Sequence, residues 1–395
     1  MNRLPQAVLA VIFLFIVCLS GAKADGPAPI KVGVTMALTG HYAKFGQEQL
    51  NGIKMWVDDI NERGALLGRP VRLIYYNDQS DSLLVTDLYE KLIVEDRVDL
   101  LLNPYSSTLT IAASNIAEKH DIPMVVAASA PGIWARGLKN VFGVYTPADH
   151  NMDPIIALAA DKGLTRIGLA YADTDFPHAI AHGVRARVLE HHMKIVFDES
   201  YPREKGDFAE LIQRLAKTRP EVIIVGGYLN DAIAFFREAR AQGLSPMMFA
   251  FSGGPALLEF GAALGTDEVE GVLSSTQWKA GERMPESSDF TFRFKRRYGH
   301  NASYQAAGGY AAGQVLEAAV RLAGSTRSDD VRAMLASMKF RSLLGHYRVD
   351  ETGKQTGKPI YVLQWKNGRR RLVLPRDLAQ SELIYPFQHK EKVME

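Results

Sequence analysis

The chain has 395 residues, 47% of them hydrophobic and 23% charged, with 46 basic against 44 acidic side chains and a formal charge of +2. That length suits two or three globular domains, and so balanced a charge gives no field that would favour nucleic acid or an anionic membrane surface. A single cysteine, Cys18, excludes a disulfide framework and a thiolate metal site.

The chain begins with a short basic start, Met1-Asn2-Arg3, and an apolar run, Ala7–Leu19, too short for a comfortable permanent span. Ala22-Lys23-Ala24 has the small-x-small form of a signal-peptidase site. Residues 1–24 are expected to be a signal peptide cleaved before Asp25. Lipidation at Cys18 is the alternative, opposed by the bulk of Ile16 and Val17. Cleavage removes Arg3, Lys23 and Cys18 and no acid, so the mature chain is formally neutral and cysteine-free. An exported chain without disulfides points to a bacterial periplasm.

Ile30–Ala37 is a β-branched run ending in Leu38-Thr39-Gly40, a strand running into a turn. A helix follows, with Leu50, Ile53, Val57 and Ile60 on one face and Gly64 placed to end it. Val71–Tyr76 is the next strand, and Thr86–Glu95 predicts a helix with Leu88, Leu92 and Ile93 inward. The stretch Leu100–Pro131 then reads strand, sharp turn, helix, strand. Asp99–Leu102 is stopped by Asn103-Pro104, since proline has no N–H with which to continue a ladder. Ser106, Ser107 and Thr108 fall at a helix start, and the strand Met124–Ala128 opens onto Ser129. A helix start presents unpaired N–H groups and partial positive charge, so hydroxyls there can grip a carboxylate without a buried lysine. A plain capping role for Ser106 or Ser107 is the other reading. With Val141–Tyr145 as a further strand, the repeat of strand and helix implies a parallel sheet covered by helices.

From Pro147 to Pro154 the composition turns polar, and the pattern starts again. Helices are expected at Ile156–Lys162, Pro177–His192, Asp207–Leu215 and Asn230–Gln242, with Asp207 and Glu210 at capping-box spacing. Strands are expected at Arg166–Tyr171, Lys194–Ser200, Glu221–Val225 and Met247–Phe251. Beyond Val269–Thr276 come long helices, Ser288–Tyr298, Tyr304–Ala323 and Ser328–Met338, then strands Leu343–Val349 and Ile360–Lys366. Asn367-Gly368 is a hairpin turn, and Arg369-Arg370-Arg371 after it reads as solvated strand or as a partner-facing patch.

Leu38-Thr39-Gly40, Phe45-Gly46, Asn51-Gly52, Asp59–Gly64, Gly68, Asn77-Asp78, Ser106-Ser107-Thr108, Gly226-Gly227-Tyr228 and Gly243-Leu244 occur in this order. In that order and spacing they resemble the leucine/isoleucine/valine-binding type of periplasmic substrate-binding protein, which serves ABC importers. The resemblance covers nearly the whole mature chain. It implies an α/β fold of type I: two similar Rossmann-like lobes with parallel sheets, three crossover segments, and a ligand cleft between the lobes. Residues 30–146 with 277–348 would form the N-terminal lobe, and 147–276 with 349–380 the C-terminal one. It implies no enzyme and no cofactor. The implied partners are a small carboxylate ligand and a cognate permease in the inner membrane, with the chain a monomer and no nucleic acid bound.

Position by position, the resemblance sets Ser107 and Ser129 against hydroxyl residues that hold the ligand carboxylate, together with backbone around Ala128. Ser106 and Ala130 flank them. Phe45 takes the place of an aromatic residue near the ligand, Tyr105 of an apolar one, and Tyr228 of a second-lobe tyrosine, while Asp175-Phe176-Pro177 forms a cleft loop. One departure stands out. The acidic residue that holds a ligand ammonium in amino-acid binders falls on or near Gly253, and no Asp or Glu occurs between Ala241 and Leu258. An ammonium left unpaired in a closed cleft costs several kcal/mol. The expected ligand is therefore a carboxylate without an α-ammonium group, its apolar or aromatic body against Phe45, Tyr105, Trp134, Phe176 and Tyr228. Core packing is the competing account of Trp134 and Phe176. A branched-chain amino acid is the alternative ligand, with Asp149 or Asp175 replacing the lost acid.

Other chemistry is thin. His178 and His182 stand four apart on a helix after Asp173 and Asp175, a spacing that can hold a metal but lacks a further ligand set. Ser107 as a hydrolase nucleophile has no sequence-visible base, and no P-loop, nucleophile elbow or dinucleotide fingerprint occurs. A ligand-sensing receptor of the same fold and an enzyme hidden in the interlobe cleft are the remaining classes.

Overall fold

The computed structural model describes residues 27–203, 206–279 and 285–387. The expected signal peptide and Cys18 lie outside the described residues. The first sheet is built by β1 (Ile30–Met36), α1 (Ala43–Glu62), β2 (Val71–Asn77), α2 (Ser82–Val94), β3 (Leu100–Leu102), α3 (Ser107–Lys119), β4 (Met124–Val126) and β5 (Val141–Gly143). Its order is β2-β1-β3-β4-β5, all parallel. The chain then builds α4 (Asp153–Asp161), β6 (Arg166–Ala172), α5 (Asp175–Glu190), β7 (Lys194–Tyr201), α6 (Ala209–Lys217), β8 (Val222–Gly226), α7 (Leu229–Ala241), β9 (Met248–Ser252), α8 (Leu258–Leu264) and β10 (Leu273–Thr276). These strands repeat the same order, β7-β6-β8-β9-β10, again parallel.

Helices α9 (Pro285–Tyr298), α10 (Tyr304–Ala323) and α11 (Ser328–Ser337) return to the first lobe, where α10 packs along α1. A hairpin, β11 (Phe340–Ser342) and β12 (Gly345–Tyr347), follows. β13 (Tyr361–Lys366) and β14 (Arg369–Leu374) then extend the second sheet as antiparallel strands. In both lobes the strand order reverses beside the first strand, between β1 and β3 and between β6 and β8. Crevices for ligands form outside the carboxyl ends of strands at such reversal points.

Local chemistry explains the elements. The β3 ladder stops at Asn103-Pro104, and the buried Asn103 side chain braces the turn. It accepts from Ala127 N at 2.8 Å and donates to Thr110 Oγ1 at 2.9 Å. Ser303 caps α10 by accepting from Ala306 N at 3.2 Å, and Gly324 ends it at φ 63°. Asn367 and Gly368 adopt φ 51° and 69°, the left-handed pair that a tight hairpin requires.

Several expectations need correction. α2 starts at Ser82, because Asp81 caps it by accepting from Leu83 N at 2.7 Å, and its buried face is Val85, Tyr89 and Leu92. Leu88 and Ile93 are only half-buried. No capping box forms at Asp207: it accepts from Ala209 N at 2.9 Å as a turn, and the helix begins at Ala209. Leu343–Val349 is not one strand, since Leu343-Leu344 forms the bend between β11 and β12. Arg370 is not a solvated turn residue; its guanidinium donates inward to the Ala256 carbonyl.

The chain leaves the first sheet after β5, leaves the second after β10 and returns to it between β12 and β13, and one polar knot joins all three passages. Gln277 Oε1 accepts from Thr146 N at 3.0 Å and Gln277 Nε2 donates to Thr146 O at 2.9 Å. Thr146 Oγ1 donates to Lys358 O at 2.9 Å, and Lys358 Nζ donates to Gln277 O and Oε1 at 2.8 and 2.9 Å. Burial pushes the Lys358 amine down to about 7. Above that value the native chain leaves it neutral, whereas the unfolded chain keeps it protonated up to its ordinary value of 10.5. The unfolded state therefore binds the extra proton, and stability should rise with pH through this window and be lowest below it. Denaturation of wild type and Lys358→Met at pH 7 and pH 9 checks this: wild type should gain about 2 kcal/mol more than the variant over that interval. Equal gains would show that Lys358 titrates as an exposed lysine does.

Candidate ligand-binding cleft

The carboxyl ends of β3, β4, β6 and β8 converge on one cavity. At its floor the chain leaves β3 through Tyr105 and enters α3. Ser106 holds φ 86° and ψ 154°, a conformation that costs a non-glycine residue about 1–3 kcal/mol and persists only where its surroundings impose it. Here Ser106 Oγ accepts from Leu109 N at 3.2 Å, and its carbonyl accepts from Thr110 Oγ1 at 2.7 Å. The kink sets the start of α3 against the cavity, which Ser106 and Ser107 both line. Ser107 Oγ accepts the Ala130 N–H at 3.1 Å, which leaves the hydroxyl hydrogen to donate. Ser129 lines the same wall, and its carbonyl accepts from Ala148 N at 2.7 Å, tying the first passage to the end of β4.

Aromatic rings complete the cavity. Phe45 stacks on Tyr105 at 5.3 Å, Tyr42 meets Tyr105 and Tyr228 edge-on at 5.6 and 5.3 Å, and Phe176 lies 6.0 Å from Tyr228. Tyr42, Phe45 and Tyr105 belong to the first lobe and Phe176 and Tyr228 to the second, so the rings meet across the interface. Thr108 Oγ1 donates to Asp175 Oδ2 at 2.7 Å, and Lys44 pairs with Glu259 at 2.6 Å, so polar contacts cross the interface as well. Burial raises the Tyr105, Tyr145 and Tyr228 hydroxyls above the ordinary phenol range, which keeps them as neutral donors.

Of the sequence-derived residues, Tyr105, Ser106, Ser107, Ala128, Ser129, Phe176 and Tyr228 line this cavity together. Phe45 stands behind Tyr105, and Ala130 contributes its N–H to Ser107 rather than a wall. Gly253 lies outside the lining; a Cβ there would stand 3.3 Å from the Tyr304 hydroxyl. Trp134 is core, packed so tightly on Gly143 that a Cβ there would overlap its ring. His178 pairs with Asp173 at 2.6 Å. Asp149 and Asp175 are not in the lining either. Sequence reasoning missed Tyr145, Asn151, Gln277 and Tyr304, which close the cavity from the passages and the start of α10. Gln277 follows directly on β10 and Tyr145 comes two residues after β5, and that position was the available signal.

Ser107→Ala should weaken binding of a carboxylate by about ten-fold or more, the value of one charge-assisted hydrogen bond. Ser129→Ala should act alike. Calorimetry that found affinity unchanged in both variants would place the anion elsewhere.

The family described as "Periplasmic binding protein" matches residues 29–370. The Leu/Ile/Val-binding protein homolog 7 of Brucella abortus is 24% identical over 396 residues, covering 95% of this chain and 99% of that protein. The branched-chain amino acid transporter substrate-binding protein of Streptococcus pneumoniae, solved with isoleucine, superposes with a TM-score of 0.79. It is 20% identical, and the match covers 91% of this chain and all of that one. A solute-binding protein of an ABC transporter from R. palustris, solved with benzoate, gives a TM-score of 0.78 at 20% identity, covering 88% of this chain and 96% of that one.

Proposed function

This chain belongs to the periplasmic binding protein family, and from that premise we propose that it captures a small aromatic or other organic acid lacking an ammonium group. Closure of the lobes would trap the acid, and the loaded protein would hand it to an inner-membrane permease. The first lobe in this reading comprises residues 30–146 and 277–348, and the second 147–276 and 349–380.

The observation that carries the reading is the composition of the cavity wall. It holds the serine hydroxyls, the start of α3, two carboxamides and the rings of Tyr105, Tyr145, Phe176, Tyr228 and Tyr304, and among the described residues no acidic side chain. Serine hydroxyls and helix N–H groups suit a carboxylate, and the rings suit an apolar, planar body. Asp175, the acid nearest in sequence to the lining residue Phe176, is engaged by Thr108. The benzoate held by the R. palustris protein supports an aromatic acid, and the isoleucine held by the S. pneumoniae protein supports the branched-chain alternative.

A thermal-shift screen of the mature protein against amino acids and aromatic acids tests the proposal. A ligand at 100 times its dissociation constant stabilises the folded state by about 2.7 kcal/mol. The stabilising acid should also make the particle more compact in solution scattering, because it bridges the lobes. Stabilisation by amino acids alone would overturn the ligand class and leave the family assignment untouched.

A further inference from the structure

Tyr304 lines both the cleft and a second compartment, walled also by Thr276, Lys279, Asn301, Ser303 and Arg370. Three parts of the fold meet there: the second passage, which carries Lys279; the start of α10; and β14 of the second lobe, which carries Arg370.

The charges in this compartment are unbalanced. Among the described residues its lining contains two cations and no carboxylate. Among the described residues Lys279 has neither a hydrogen bond nor an ion pair, and burial, with Arg370 and Arg371 adding like charge, lowers its pKa to about 8. Arg370 donates once, to the Ala256 carbonyl, and burial lowers it to about 10. The acid whose charge acts on it is Glu259, which is already held by Lys44. Ser303 spends its hydroxyl on the buried Glu48 at 2.8 Å, and Thr276 spends its own on Trp278 O at 2.9 Å. That leaves the Asn301 amide and the Tyr304 hydroxyl as neutral donors beside the two cations. Two like charges, each half-buried beside a common void, repel one another unless an opposite charge enters.

We propose that this compartment is an oxyanion site, in which Lys279 and Arg370 share one carboxylate or inorganic oxyanion between the second passage and the second lobe. Closure of the lobes gathers the two cations, so an anion between them favours the closed form. The anion is either free or the far carboxylate of a dianionic ligand whose near carboxylate rests on Ser107. The second source rests on the reading of the cleft given above; the first does not.

Two titrations on the full mature chain test the proposal, each against Lys279→Gln. This variant removes a buried charge, so it should be no less stable than wild type when no anion is added. Inorganic phosphate at constant ionic strength should raise the melting temperature saturably, and the response should be about ten-fold weaker in the variant. Terephthalate should bind wild type about ten-fold more tightly than benzoate, and the advantage should vanish in the variant. A variant-sensitive response to phosphate identifies a free oxyanion, and a variant-sensitive preference for terephthalate identifies the ligand's own second carboxylate. If neither response depends on Lys279, the site is refuted. Benzoate that fails to bind while the phosphate response still needs Lys279 would sink the cleft reading and keep this one. Benzoate that binds with neither titration sensitive to Lys279 would do the reverse.

Discussion

Benzoate should bind this protein about a hundred-fold more tightly than leucine, a gap of about 2.7 kcal/mol. Both ligands offer a carboxylate to Ser107, Ser129 and the start of α3, so that contact does not discriminate. The difference lies at the other end. Leucine brings an ammonium into a cavity whose lining is serine, alanine, carboxamide and aromatic ring, with no carboxylate among the described residues to receive it. Gln277 is already engaged with Thr146 and Lys358, and Asp175 with Thr108, so neither is free to turn inward without breaking a contact. An unpaired buried charge costs several kcal/mol; tyrosine hydroxyls and backbone carbonyls recover part of that, and the hundred-fold figure is what remains. Benzoate has no such cost and gains edge and stacking contacts with Tyr105, Phe176 and Tyr228. Side-by-side calorimetry of the two acids decides the matter. Tighter binding of leucine would show that an acceptor reaches the ammonium and would restore the amino-acid reading.

The readable part of the cleft is the part built by local rules. Pro104 ends β3, Ser106 caps α3 and Gly226-Gly227 ends β8, so the sequence alone places Ser107 and Tyr228 at strand ends and helix starts. The unreadable part depends on pairings across more than a hundred residues. Gln277 reaches the cavity because it bonds to Thr146, and Tyr304 because α10 packs along α1. Nothing within either segment announces those partners. Arg370 escaped for a related reason. A tight hairpin fixes which β14 residues face inward only once its partner strand is known, and three consecutive arginines mask the alternation. Asp207 and Glu210 have the right spacing for a capping box, but the helix starts two residues later because Asp207 forms a turn instead.

Gly52→Val should cost about 3 kcal/mol or more of stability, whereas Gly132→Ala should change it by less than about 0.5 kcal/mol. The α1–α10 crossing is lined by glycine from both sides. A Cβ on Gly52 would stand 1.9 Å from the Ala306 carbonyl oxygen, and one on Gly309 would stand 2.2 Å from the Gln49 carbonyl oxygen. Farther along, Gly313 admits the Trp56 ring, whose Nε1 donates to Glu317 at 3.1 Å. Replacing a mid-helix glycine gains about 0.5–1 kcal/mol of helix propensity when the new residue is alanine, and less for valine. The overlap at Gly52 is with backbone, which cannot swing aside as a side chain can, so the helices must part and the packing loss exceeds that gain. At Gly132, exposed in a short turn, an added Cβ meets nothing within 4 Å. The separation of these two helices also fixes the cleft, since α1 starts beside Tyr42 and Phe45 and α10 starts at Tyr304. Gly52→Val should therefore lower both the denaturation midpoint and ligand affinity, the second in whatever fraction remains folded. A variant with wild-type stability would mean that the helix pair yields easily, and that the cleft walls are not set by this crossing.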